Sequence, residues 1–204
     1  VGLFNGRWDY YRAALAAARS KNMVVEVFEN FRKGGYLEIF GDHLPHNIKN
    51  KNRLIEEHWE KSDDEHKYKI ADDFFLKKRQ GLAVSDKSYT KDQEKGKLPS
   101  NFDDTKKTFV LYNSSDDEFA AVGKQFENPY FKDQLEGIMY IVEYFKKTEN
   151  YQLIIRMHPN LKGLKRDYLD PLYEMENRYS NIILIKPQDD IDTYELMEKA
   201  DTVI

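Results

Sequence analysis

Four segments of the chain combine residue types that can hold an anion or move a proton. Arg156 and His158 stand two apart at the end of Gln152–Pro159, where an apolar run meets a proline. A guanidinium and an imidazole at one strand end offer the charge or N–H donors that a departing nucleotide phosphate needs in the transition state. The stretch 113–118 contains Ser114 and Ser115. Their hydroxyls and backbone amides suit a phosphate at a strand–helix turn. In Asn5-Gly6-Arg7 the glycine lets backbone approach a ligand, and the arginine presents a planar fork for carboxylate or phosphate. Glu29 follows a strand-like run and has the chemistry of a general base.

Each segment also has a plainer reading. Asn5-Gly6 suits a tight strand–helix turn beside a surface arginine. Ser115 or Asp116 suits a helix cap, with Glu118 in the first turn. His158 suits an imidazole satisfied by backbone. Glu26, inside its strand, reads as a solvent-facing residue. The pair His43 and His46 invites a metal reading, but Pro45 opposes a regular helix and no third ligand accompanies them. No metal site is expected, and His46 reads as a structural or substrate-contacting histidine. The loop 186–196 offers contacts to a base or ribose, or a helix cap at Asp192.

The elements that must position these residues alternate. Val1–Phe4 reads as a strand, 7–21 as an alanine-rich helix and 23–28 as a β-branched strand, the pattern of a parallel βαβ unit. Residues 36–40 suit a further strand or extended loop, and 47–61 and 65–80 two polar helices. Residues 85–107 lack periodicity and read as a linker or long surface loop. A second block opens with a strand at 108–112. Asn128-Pro129 signals a helix start, and Phe131, Leu135, Ile138, Val142 and Phe145 share one helical face. A strand at 151–156, a helix at 166–179, a strand at 181–185, a helix at 193–200 and a strand at 202–204 complete the alternation. The fold class is α/β, with parallel sheets covered by helices. The expected division is 1–84, the linker 85–107, and 108–204.

The chain has 204 residues, enough for one large domain or two small ones. Its 32 basic and 36 acidic residues give a net charge of −4, against nucleic acid as a partner, which usually calls for a basic excess. With no cysteine there is no disulfide, thiolate metal site or cysteine nucleophile, which suits a reducing compartment. No apolar run approaches the ~20 residues of a membrane helix, and the opening residues lack the makeup of a signal peptide. Both ends read as cut: Val1 already sits in a strand-like run, and Asp201–Ile204 reads as the opening of another. The expectation is a piece of a longer protein, inactive by itself.

The series Phe4–Arg7, Glu29, His46, 113–119, Asp133-Gln134, Arg156-x-His158-Pro159 and 194–201 resembles the bacterial capsule and surface-polysaccharide biosynthesis proteins. The resemblance covers most of the chain and implies a GT-B-like glycosyltransferase: two Rossmann-like domains facing each other across a cleft, both incomplete here. It implies that Arg156 and His158 face the donor phosphate, with Ser114 and Ser115 at the same cleft and Tyr194 among the donor-binding residues. It puts Asn5, Gly6, Arg7, Glu29 and His46 on the acceptor side, with Glu29 as candidate base. A Gly-Ser-Thr-rich turn that usually follows the last strand in such proteins is absent.

The implied activity transfers a sugar from a nucleotide sugar to a glycan or lipid-linked acceptor, without cofactor or metal. It takes place in the cytoplasm, with peripheral association at the inner face of the membrane where the acceptor is lipid-linked. The alternatives are a CDP-glycerol-type polyol-phosphate transferase, a sugar-nucleotide epimerase, and a non-catalytic protein that binds nucleotide sugar or polysaccharide.

Overall fold

The structure is a computed structural model that describes residues 1–30, 35–82, 89–115, 122–123, 127–164, 169–176 and 178–204. It divides into two compact units, Val1–Ser88 with Ala121–Gln125, and Tyr89–Ala120 with Phe126–Ile204. Both are α/β.

In the first unit β1 (Gly2–Phe4), α1 (Asp9–Ser20) and β2 (Glu26–Asn30) form the expected parallel βαβ unit, with Leu3 beside Val27. The sheet is mixed rather than wholly parallel. β3 (Leu37–Ile39) follows β2 too closely for a crossover, and it pairs antiparallel, Glu38 beside Glu29. Leu15 and Ala18 of α1 bury against Leu3, Val25 and Val27, and Leu44 packs on the same cluster. Helices α2 (Ile48–Lys61) and α3 (Asp64–Arg79) are capped by Asn47 and Asp63 and contain no buried residue. Their formation rests on capping and on i,i+4 pairs such as Arg53–Glu57 and Lys69–Asp73.

The second unit is a four-stranded, all-parallel sheet. Its strands are β4 (Lys107–Tyr112), β5 (Tyr151–Arg156), β6 (Ile182–Ile185) and β7 (Thr202–Val203), in spatial order β6-β5-β4-β7. Counted along the unit that is third, second, first, fourth, the opening order of a doubly wound sheet and compatible with a Rossmann-like fold. Side chains alternate between two cores, as period-2 strands buried on both faces require. Leu111, Leu153, Ile155 and Ile182 meet Ile138, Val142 and Phe145 of α4 (Gln134–Phe145), and Leu172 of α5 (Asp170–Glu174). Val110, Ile154, Ile183 and Ile185 meet Leu196 of α6 (Thr193–Lys199) on the other face.

Three local expectations change. Asn128 caps a turn, accepting from the Tyr130 and Phe131 amides at 2.9 and 3.1 Å, and α4 begins six residues later. Asp133 is the true cap, because it accepts the Glu136 amide at 2.9 Å while Glu136 accepts the Lys132 amide at 2.6 Å. The helix expected over 166–179 is described only as the five residues of α5, with Pro171 in its first turn, where a missing N–H is harmless. Residues 165–168 and 177 lie outside the described residues. The third change concerns 89–106, read as linker or surface loop. These residues carry no helix or strand, yet Leu98 and Phe102 pack against the α6-side core. The Gln152 side chain binds this stretch, accepting from the Asp103 amide at 3.1 Å and donating to its carbonyl at 2.7 Å.

The buried Asn181 amide donates to the carbonyls of Phe145, Thr148 and Tyr151 at 2.8, 2.7 and 3.3 Å, tying the end of α4 to the start of β5. Asn181→Leu leaves these carbonyls without that donor at comparable side-chain volume. We expect a loss of about 1–3 kcal/mol, read as a lower urea midpoint at unchanged slope.

Candidate functional site

In a doubly wound sheet the strand order reverses at one point, and the crevice beyond the carboxyl ends there is where ligands bind. Here the reversal falls between β4 and β7, on the other side of β4 from β5. The residues that leave β4 at this point are Asn113, Ser114 and Ser115.

Asn113 is buried and acts as a clamp. Its Oδ1 accepts the His158 amide at 2.8 Å, joining the loop after β4 to the loop after β5. Gln134, the first residue of α4, holds Ser114 at two points: Oε1 accepts the Ser114 amide at 2.7 Å, and Nε2 donates to the Ser114 carbonyl at 3.2 Å. The Ser114 hydroxyl donates to the Ser115 carbonyl at 3.4 Å. Ser115 is 3% exposed, and its hydroxyl has no hydrogen-bond partner among the described residues. Asp116, the alternative cap to Ser115, and Glu118 of the expected first turn lie outside the described residues.

Arg156 faces inward. It is 3% exposed, and its Nη1 and Nη2 donate to the carbonyls of Lys186 and Asp189, both at 3.2 Å, while its buried Nε has no partner among the described residues. Burial pushes its pKa down, opposed by the nearby Asp189 carboxylate and Tyr112. Tyr112, on the same face, donates to the Thr193 carbonyl at 3.1 Å, and burial raises its pKa to about 12. Arg156 therefore holds the loop after β6 as well as carrying charge.

His158 is half-buried and opens the short 3-10 turn Pro159–Leu161. Its Nδ1 accepts the Asn160 amide at 3.1 Å. A backbone amide can only donate, so the ring proton lies on Nε2. The Tyr89 ring meets the imidazole edge-on, with centroids 5.6 Å apart. Asp192 caps α6, accepting from the Tyr194 and Glu195 amides at 2.9 and 3.2 Å. The Tyr194 backbone thus serves the cap, and its ring is half-buried.

In the first unit a second set gathers where β1 and β2 end. Asn5 and Gly6 adopt φ of 58° and 71°, in the left-handed region. A Cβ on Gly6 would lie 2.9 Å from Leu44 Cδ2, so the turn needs glycine for both shape and space. Asn5 is held by its amide on the Phe28 carbonyl at 2.8 Å, and its Oδ1 accepts the Arg7 amide at 3.2 Å. Its Nδ2 donates to Glu29 Oε2 at 2.6 Å, while Glu29 Oε1 accepts the Asn30 amide at 2.9 Å. Both carboxylate oxygens are thereby oriented. His46 lies within electrostatic reach of Arg7 and Glu29, and its buried Nδ1 has no partner among the described residues. His43 is exposed, its ring 3.5 Å from the Asn47 amide nitrogen.

Sequence reasoning therefore named most residues of both sets, and the structure groups them as Asn5, Gly6, Arg7, Glu29 and His46 in one unit, and Ser114, Ser115, Arg156, His158 and Tyr194 in the other. It missed Tyr89 and the clamping roles of Asn113 and Gln134. The signal for Tyr89 was present: Tyr89, Leu98 and Phe102 are bulky rings and side chains within a stretch otherwise read as solvated.

The chain matches no protein-family model, no curated protein and no solved structure.

Burial lowers the His46 pKa below its ordinary 6.5, with Arg7 and Lys51 pushing the same way and Glu29 opposing. The folded protein then binds fewer protons here than the unfolded chain. Stability contributed above the unfolded value is lost as pH falls through the depressed one. Wild type is expected to lose urea resistance as pH drops from 7.5 to 5.5, and His46→Gln to lose less. Parallel losses in the two proteins would reject this assignment.

Proposed function

We propose that this protein is a GT-B-type glycosyltransferase of surface-polysaccharide synthesis, moving a sugar from a nucleotide-activated donor to a glycan or lipid-linked acceptor. The observation that carries the reading is the Asn113 clamp, which joins the loop holding Ser114 and Ser115 to the loop holding His158 at the carboxyl edge of a parallel sheet. A strand-end crevice of this kind suits a nucleotide phosphate.

The donor nucleotide is assigned to the second unit and the acceptor to the first. The acceptor O–H gives its proton to Glu29, and its oxygen bonds to the anomeric carbon. The bond from that carbon to the phosphate oxygen breaks, and its electron pair leaves with the nucleotide phosphate. His158 offers its Nε2–H to the charge that develops there. Arg156 acts from inside the protein, through its charge and by holding the 186–189 loop. Asn5 orients Glu29 for proton transfer. No helix among the described residues is long and apolar enough to cross a membrane. A lipid-linked acceptor is reached by peripheral association at the inner face.

His158→Ala is expected to lower turnover of the whole protein by roughly 10²–10³-fold, the scale of losing one preorganised donor. Unchanged turnover removes the assignment. Product analysis separates the other readings. Sugar transfer supports the transferase, and glycerol-phosphate transfer supports the polyol-phosphate enzyme. Donor interconversion supports an epimerase, and binding without turnover supports a non-catalytic role. A thermal-shift series with CMP, CDP, UDP and GDP identifies the nucleotide, since a ligand of the folded state raises its apparent stability.

A further inference from the structure

We infer that helices α2 and α3 of the first unit form a docking surface for an anionic phospholipid bilayer. The proposed transferase supplies only the reason for it, a lipid-linked acceptor. The surface itself rests on residues that the proposed reaction does not use.

Neither helix contains a buried residue. Ile48, Ile55 and Trp59 of α2 are 53%, 62% and 57% exposed. They stand seven and four positions apart, so they fall on one face of the helix. Tyr68 and Phe75 of α3, seven apart, are exposed and share a face in the same way. Lys67, on the flank of that face, holds its Nζ 4.6 Å from the centre of the Trp59 ring. The contact brings the two helices together at their apolar sides. Large apolar side chains scattered singly need no explanation, but two exposed stripes on adjoining helices do.

Charge decides what covers them. Lys51 lies within the α2 stripe, one turn from both Ile48 and Ile55. Lys67 flanks the α3 stripe, and Lys78 stands one turn beyond Phe75. Asp64, in the first turn of α3, pairs with Lys67 at 3.0 Å. The other carboxylates lie away from the stripes. Glu56 and Glu60 fall to one side. Glu57 and Asp73, two positions from Ile55 and Phe75, fall on the far side and pair there with Arg53 at 2.5 Å and Lys69 at 3.2 Å. The apolar side therefore carries a cationic excess in a chain whose net charge is −4. A second copy of this surface would set lysine against lysine. Lipid phosphates instead accept from the ammonium groups. Trp and Tyr, apolar in body and polar at the tip, suit the headgroup zone, and lysine stems lie along the apolar surface with their charge in water. Such a helix face settles in the plane of an anionic membrane.

The test is flotation of the whole protein, without donor or acceptor, on two kinds of vesicle. One contains phosphatidylglycerol and phosphatidylcholine in equal amounts, the other phosphatidylcholine alone. Wild type is expected to bind the anionic vesicles about tenfold more tightly than the neutral ones. Ile55→Ser combined with Trp59→Ser should weaken binding about tenfold or more. Lys51→Gln should weaken it about fivefold, the scale of one basic residue near an anionic surface. All three side chains are exposed, so far-UV circular dichroism should stay unchanged. In a Trp8→Phe background the Trp59 emission should move to the blue on binding. Failure of wild type to bind, equal binding to both vesicles, an unmoved Trp59 emission, or variants that bind like wild type would each overturn the proposal. So would a dimer in lipid-free solution that Ile55→Ser with Trp59→Ser abolishes, since the surface would then belong to a second copy. Turnover is read separately. Vesicle binding without sugar transfer keeps the docking surface and counts against the transferase, and transfer without vesicle binding does the reverse.

Discussion

Parallel pairing governs the second unit. Two parallel strands cannot be joined by a tight hairpin, so every return passes through a crossover and all strands end on one edge. β4 pairs in this way with both β5 and β7. It is therefore the first strand of the unit and also its centre. The chain must reach one neighbour through α4 and the other through α6, on opposite faces. That single arrangement gives the two cores, gathers the loops after β4, β5 and β6 at one end, and opens a reversal point beside Asn113. Asp201 helps to secure it, its carboxylate accepting the Thr108 amide at 2.8 Å while its own amide donates to the Thr108 carbonyl at 2.9 Å.

Once the loops share one end, short polar side chains can lock them together. Asn113 joins two loops through one amide, Gln134 fixes Ser114 from the start of a helix, and Arg156 fixes the loop after β6 from below. Asn113 and Arg156 are buried, where a satisfied hydrogen bond specifies geometry and an unsatisfied one is costly. The Ser115 hydroxyl and Arg156 Nε, without a partner among the described residues, stand out against that background. Both belong to the strand-end segments assigned to the donor phosphate.

The first unit follows a different economy. Its core is the small cluster of Leu3, Leu15, Ala18, Val25 and Val27. Its polar set depends on one backbone feature, the left-handed Asn5-Gly6 turn, which directs the Asn5 amide onto Glu29 and frees the Arg7 backbone to close the turn. An asparagine tolerates this conformation because its side chain bonds locally. The same turn places Gly6 against Leu44, which joins the His46 segment to the sheet.

Strand and helix types were legible in the sequence because β-branched runs and the 3.6-residue stripe through Leu135, Ile138, Val142 and Phe145 are local signals. So were the strand-end positions of Ser114, Arg156 and His158, because a strand followed by Pro, Ser or Asn marks its own carboxyl end. The start of α4 was misplaced, since Asn128-Pro129 and Asp133-x-x-Glu136 are both valid start signals and only packing chooses between them. Strand order was not legible at all: nothing local to β7 says that it lies beside β4. Nor was the direction of Arg156, because a strand residue points to one face or the other according to register. Nor was the meeting of Tyr89 with His158, because the two rings come from segments far apart along the chain. The sequence by itself determined which residues can donate, accept or carry charge, and which local conformations they favour. Tertiary structure alone decided which of them meet, because pairing between distant segments depends on the whole sheet being assembled.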